Sequence, residues 1–116
     1  MTLTQPNNTE PKRMPITITA DHGTFVVKPG VIEAEEGDRL VFEYDGALGG
    51  SLFFPVPGIF AQQVIDLVPG KPWRAEVEVG YVASQVRFAY AVYSRDADDF
   101  AVANSPPRMI INPPSR

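Results

Sequence analysis

Carboxylates, hydroxyls and one imidazole are the groups in this 116-residue chain that could do chemistry. The segment SRDADDF sets Asp96, Asp98 and Asp99 close together, and closely spaced oxygen ligands in a loop suit Ca²⁺. The EF-hand spacing fails, because Phe100 stands where a third ligand would fall and no glycine follows it. Two readings result. One is a Ca²⁺-binding or hydrolytic loop on Asp96, Asp98 and Asp99. The other, which the spacing favours, is a solvated loop held by Arg95 or Arg108. A second acidic set, Glu33, Glu35 and Glu36, reads as the wet side of a strand. Ser51, Ser84, Ser94 and Ser105 have a single potential base, His22, and nucleophilic catalysis needs serine, base and orienting acid to converge. His22 lies in a turn-like ADHGT and reads as a surface residue, since metal sites gather several ligands. Any pair among fourteen acids could be drawn as a glycosidase dyad, and no spacing singles one out. The residue types therefore favour a non-catalytic protein with no metal and no cofactor.

The stretch DGALGGSLFFPVPGIF, residues 45 to 60, is the other conspicuous feature. Gly46, Gly49, Gly50 and Ser51 fit neither phosphate-binding spacing, and no lysine follows them. They read as a flexible or tightly turned connection. Behind them, Leu52, Phe53, Phe54, Val56, Ile59 and Phe60 cannot all face one side of a strand, because successive side chains point to opposite faces. Some are core, and the expectation is that Phe53 or Phe60 stays exposed. Phe53, Phe54 and Phe60 are accordingly binding candidates, with Tyr93 and Phe100 from the next long loop. Among possible sugar platforms Tyr81 and Tyr93 rank above Trp73 and Tyr90, which fall on apolar strand faces, although packing with the hydroxyl in water explains such tyrosines equally well.

Composition narrows the classes. An apolar share of 44% and a charged share of 21% belong to a folded chain, and the length suits one domain. Twelve prolines and nine glycines are too many for a helical protein and mark short strands. A net charge of -4 argues against nucleic acid, and the one adjacent basic pair, Lys12-Arg13, falls in a polar lead-in, residues 1 to 13, that reads as a flexible, solvated tail. With no cysteine there are no disulfides, thiolate metal sites or cysteine nucleophiles. The first residues lack a signal-peptide pattern and no apolar run approaches the roughly 20 residues of a membrane span, so the expectation is a soluble, cytoplasmic protein with no membrane partner. The sequon at Asn7 is then a chance match.

The elements that must position these residues are strands. Strand signals recur in MPITIT, TFVVK, VIEAEE, RLVFEY, SLFFPV, QQVIDLV, WRAEVEV, QVRFAYAVY and RMIIN. Leu40, Phe42 and Tyr44 alternate with Arg39, Val41 and Glu43, and Trp73, Ala75, Val77 and Val79 with Arg74, Glu76 and Glu78. That makes about eight or nine strands in residues 14 to 116, a single domain with the pattern of an antiparallel sandwich.

Phe25, Pro29, Ile32, Ala34, Gly37-Asp38, Leu40 and Phe42 together resemble the first half of a cupredoxin, FAYAVY resembles that family's penultimate strand and RMII its closing one. The resemblance covers about two thirds of the chain and implies an all-β, antiparallel Greek-key sandwich. Blue-copper sites need two histidines and a thiolate. The resemblance places the cysteine position near Val92 and the first histidine position near Gly50 or Ser51, so it implies a scaffold without copper. It also brings the 45 to 60 segment and the 94 to 107 loop to one end. The expected function is a non-catalytic binding or assembly module that meets a protein partner or a second copy through those two segments.

Overall fold

The computed structural model describes residues 11–21, 24–94, 99–100 and 107–114. Strands form where apolar residues alternate with polar ones, and Pro-Gly pairs and turns separate them. Among the described residues these are β1 (Arg13–Asp21), β2 (Thr24–Lys28), β3 (Val31–Glu35), β4 (Arg39–Tyr44), β5 (Gly50–Phe53), β6 (Val64–Leu67), β7 (Trp73–Glu78), β8 (Val86–Ala89), β9 (Ala91–Ser94), β10 (Asp99–Phe100) and β11 (Arg108–Asn112). The count exceeds the expectation because QVRFAYAVY divides at Tyr90, whose N–H donates to the Pro107 carbonyl at 3.0 Å, and because β10 adds a short strand beside β9.

One layer has the order β2-β1-β4-β7. The other is made of two ladders, β10-β9-β5-β6 and β3-β11-β8, which meet along residues 86 to 94. The two layers pack face to face as an all-β sandwich. Phe25, Leu40, Phe42 and Tyr44 of the first meet Leu52, Phe54, Tyr90, Val92, Met109 and Ile111 of the second in one buried cluster. The antiparallel expectation needs one correction: β1 pairs with β4, and β3 with β11, in parallel. The chain leaves the first layer after β2, crosses at Lys28-Pro29-Gly30 to β3 in the second, and returns to the first as β4. Strands adjacent in a sheet are thus separated in sequence by crossovers, and hairpins do not set their direction.

The crossing between layers is held by one buried carboxylate. Asp38 is 5% exposed, and its two oxygens accept the N–H of Lys12 at 3.0 Å and of Glu35 at 3.1 Å. Its own carbonyl accepts Val79 N–H at 2.9 Å, and Gly37 N–H donates to the Val79 carbonyl at 2.9 Å. Gly37 sits at φ 91°, where a side chain would be strained. One Gly-Asp turn therefore joins the start of β1, the end of β3 and the end of β7.

Lys12 and Arg13, expected in a solvated tail, belong to the sheet. Arg39 N–H donates to the Lys12 carbonyl at 2.8 Å, and Arg13 forms a two-pronged pair with Glu76 at 3.0 and 2.9 Å. That pair reaches over β4 from β1 to β7 and explains why Val41, assigned to the polar side of its strand, is buried between Pro15 and Glu76. Trp73, Ala75 and Val77 are only half-buried, because β7 is an edge strand.

Replacing Asp38 by alanine leaves two backbone N–H groups without their acceptor. Urea denaturation of Asp38→Ala is expected to show a loss of about 2–4 kcal/mol. A loss within experimental error of zero would mean that the turn does not anchor β1.

Candidate functional site

The loop that follows β4 is wound on one hydroxyl. Tyr44 is buried, with its ring edge-on to Phe25 at 5.5 Å. Its Oη donates to the Leu48 carbonyl at 2.7 Å and accepts Leu48 N–H at 3.0 Å, so four residues close on the ring. A Cβ on Gly46 would lie 2.7 Å from that hydroxyl, and the Gly46 carbonyl accepts Gly70 N–H at 2.8 Å. Both glycines flanking this loop serve close approach: a Cβ on Gly50 would collide with the Tyr93 carbonyl oxygen and stand 2.9 Å from the Phe25 ring. The connection is tightly turned, and its backbone bonds close on the protein itself.

The positions that the cupredoxin resemblance gives to copper do come together, but they cannot hold the metal. β5 and β9 pair Gly50 with Ser94, Ser51 with Tyr93 and Leu52 with Val92. Val92 is buried and has no donor atom; Gly50 has no room for a side chain; Ser51 Oγ donates to Asp66 Oδ1 at 2.7 Å. Hydrocarbon, glycine and a committed hydroxyl do not make a copper donor set.

The aromatic candidates separate cleanly. Phe53 is 41% exposed, whereas Phe54 and Phe60 are buried, so of the expected alternatives, Phe53 or Phe60, it is Phe53 that reaches solvent. Phe54 stacks on Phe60 with centroids 4.7 Å apart and also meets Phe42 at 5.9 Å and Tyr90 at 5.7 Å. The turn after β5 drives Phe60 inward. Phe54 N–H donates to the Gln63 carbonyl at 2.8 Å, Gln63 Nε2 returns a bond to the Phe54 carbonyl at 3.1 Å, and Gly80 N–H holds the Ile59 carbonyl at 2.8 Å. Tyr93 is half-buried, and Tyr81 is exposed. Trp73 is half-buried beside a groove of about 330 Å³ that Thr17, Thr19 and Arg74 also line. Tyr90 is buried, and burial raises its phenol well above the ordinary value. His22, Asp96, Asp98 and most of the 94 to 107 loop lie outside the described residues, as do the side chains of Asp99 and Phe100.

A surface that the sequence did not single out lies on the outer face of the second layer. Val64, Phe53 and Ala91 stand side by side across β6, β5 and β9, and Val64 is 52% exposed. Ala89, Arg108 and Val31 form a second row across β8, β11 and β3, with Arg87 and Ile110 in the next. Ala89 and Ala91 share one side of the continuous segment 86 to 94, so the rows adjoin. Register assembles this surface from six strands. The sequence holds the residues but not the pairing; the alternation of QVRFAYAVY was the one available signal.

The opposite outer face is different. There Arg13, Arg39 and Arg74 gather on Glu76 at 2.9, 3.9 and 3.7 Å. The Arg13 hydrogen bond first, and the charges of all three, hold the Glu76 carboxyl below its ordinary value. One carboxylate there serves three guanidiniums.

No family model matches the chain, and no curated protein does. Among solved structures, the chain is similar to a chain from a heme-copper terminal oxidase dimer at 13% identity and a TM-score of 0.47, covering 92% of this chain and 67% of that one. It is also similar to the McoA multicopper oxidase of the hyperthermophile Aquifex aeolicus, at 12% identity and a TM-score of 0.45, and to a variant of that enzyme at 12% and 0.47. In both the match covers 94% of this chain and 31% of the oxidase, so this chain spans about a third of their length.

If close packing shuts the loop end, Gly50→Ala destabilises the protein by about 1–3 kcal/mol. Ser51→Ala, on the outer side of the same strand, costs under about 1 kcal/mol. Thermal melts of the two variants compare them directly, and equal, small effects would contradict the close packing.

Proposed function

We propose that this domain is a non-catalytic protein-recognition module built on a cupredoxin-like scaffold, and that it meets its partner through the outer face of the second layer. The observation that supports the reading is the Phe53–Val64 pair: two large apolar side chains, 41% and 52% exposed, directly opposite one another on β5 and β6. Aromatic anchors of this kind concentrate at interfaces. The recognition surface is thereby moved from the loop end, where Phe54 and Phe60 are buried, to the side of the sheet. A partner other than a second copy is favoured by the net charge of -4, which sets copies of the chain against one another.

The test is differential co-purification from the cells in which the protein occurs. Wild type and a control altered on the opposite face, Glu43→Gln, are expected to retain the same partner. The double variant Phe53→Ser, Val64→Ser is expected to lose it by about tenfold or more, with an unchanged melting temperature. Retention by all three proteins would overturn the assignment of this face. Light scattering over a concentration series reads out self-association, for which a monomer is expected.

A further inference from the structure

The same face carries two arginines that no carboxylate neutralises among the described residues. Arg87 and Arg108 lie on neighbouring strands, β8 and β11, in adjacent rows on one side of the sheet, since Arg87 opposes Ile110 and Arg108 opposes Ala89. With Val31, Ala89 and Ile110 they line a groove of about 500 Å³. Among the described residues the Arg87 side chain donates from Nε to Gln85 Oε1 at 2.8 Å, an uncharged acceptor. The acid within reach on this face, Glu33, is held by Asn112 Nδ2 at 2.7 Å, and Asn112 is itself tied to Gln85 at 2.7 Å. The contrast with the other outer face is direct. There three arginines converge on Glu76; here, among the described residues, neither guanidinium has a carboxylate within ion-pair distance, and both line a groove floored by Ala89, Met109 and Ile110. Glu33 shares the row of Arg87 and Ile110, so in these two rows two guanidiniums outnumber one carboxylate, in a chain whose net charge is -4.

We infer that the partner offers this face an extended segment that alternates acidic and apolar side chains, its carboxylates on Arg87 and Arg108 and its apolar groups on Phe53, Val64 and the floor of Ala89 and Ala91. Guanidinium groups bind carboxylates through paired hydrogen bonds, and the match of charge sets both specificity and capture rate. From β11 to β5 is about two strand spacings, or roughly 10 Å, which an extended segment of about four to six residues spans with margin. This inference rests on the reading of the face as a recognition surface and specifies the chemistry of what it recognises.

The experiment titrates the ¹⁵N-labelled full chain with three capped octapeptides, alternating Glu/Leu, Gln/Leu and Lys/Leu. The Glu/Leu peptide is expected to shift the amides of Phe53, Val64, Ala89, Ala91 and Arg108, and to bind about tenfold more tightly than Gln/Leu at low salt. That advantage is expected to vanish in Arg87→Glu, Arg108→Glu, whose spectrum elsewhere matches wild type, and to shrink in roughly 0.5 M NaCl. If Gln/Leu and Lys/Leu move the same amides as tightly as Glu/Leu, the acidic chemistry is overturned while the recognition face stands. If none of the three moves them, both are overturned.

Discussion

Phe42 of the first layer meets Phe54 and Tyr90 of the second, at 5.9 and 6.1 Å, and Phe54 meets Tyr90 and Phe60 in turn. This cluster joins the layers at their centre, and aromatic groups of this size supply much of the apolar area that holds a sandwich closed. It also decides what faces out. Side chains of a strand alternate, so committing Leu52 and Phe54 to the core sends Phe53 to solvent, and committing Tyr90 and Val92 sends Ala89, Ala91 and Tyr93 there. The outer surface of the second layer is in that sense the counterpart of the core. Moving β5 by one residue would exchange the two.

The same commitment shuts the end of the sandwich where the cupredoxin resemblance places copper. Phe60 turns in beneath Phe54, Gly80 ties down the turn that carries it, and the loop of residues 45 to 49 wraps the Tyr44 hydroxyl. Gly50 accepts no side chain, and Val92 offers no donor. What stays open is the outer sheet face, where Phe53, Val64 and Val31 are exposed and Arg87 and Arg108 line a groove.

The alternation of RLVFEY and QVRFAYAVY was legible as strand, and with Gly37-Asp38 it carried the sandwich. Asp38 was readable as part of a motif, but its bonds to Lys12 and Val79 span distances in sequence that no local pattern reports. For the same reason Lys12 and Arg13 passed for a tail, although Glu76 and Asp38 hold them. The parallel pairs β1/β4 and β3/β11 follow from crossovers between layers, which leave no periodic signal. LFFPVPGIF could be seen to divide between core and surface, and Phe53 was among the residues expected outside. Whether Phe53 or Phe60 faces out could not be decided locally, because the Gln63 and Gly80 hydrogen bonds that turn Phe60 inward are tertiary. Arg108 was read only as a possible anchor for the acidic loop and Arg87 was not singled out, since the two become neighbours only through the register of β8 and β11.

Solvent paramagnetic relaxation with an inert soluble gadolinium chelate reads, residue by residue, the division between an open sheet face and a closed loop end. The side-chain signals of Phe53, Val64, Ala89 and Val31 are predicted to broaden strongly, while those of Phe54, Phe60 and Val92 stay sharp. Broadening of Phe60 and Val92 to the level of Phe53, or protection of Phe53, would contradict it.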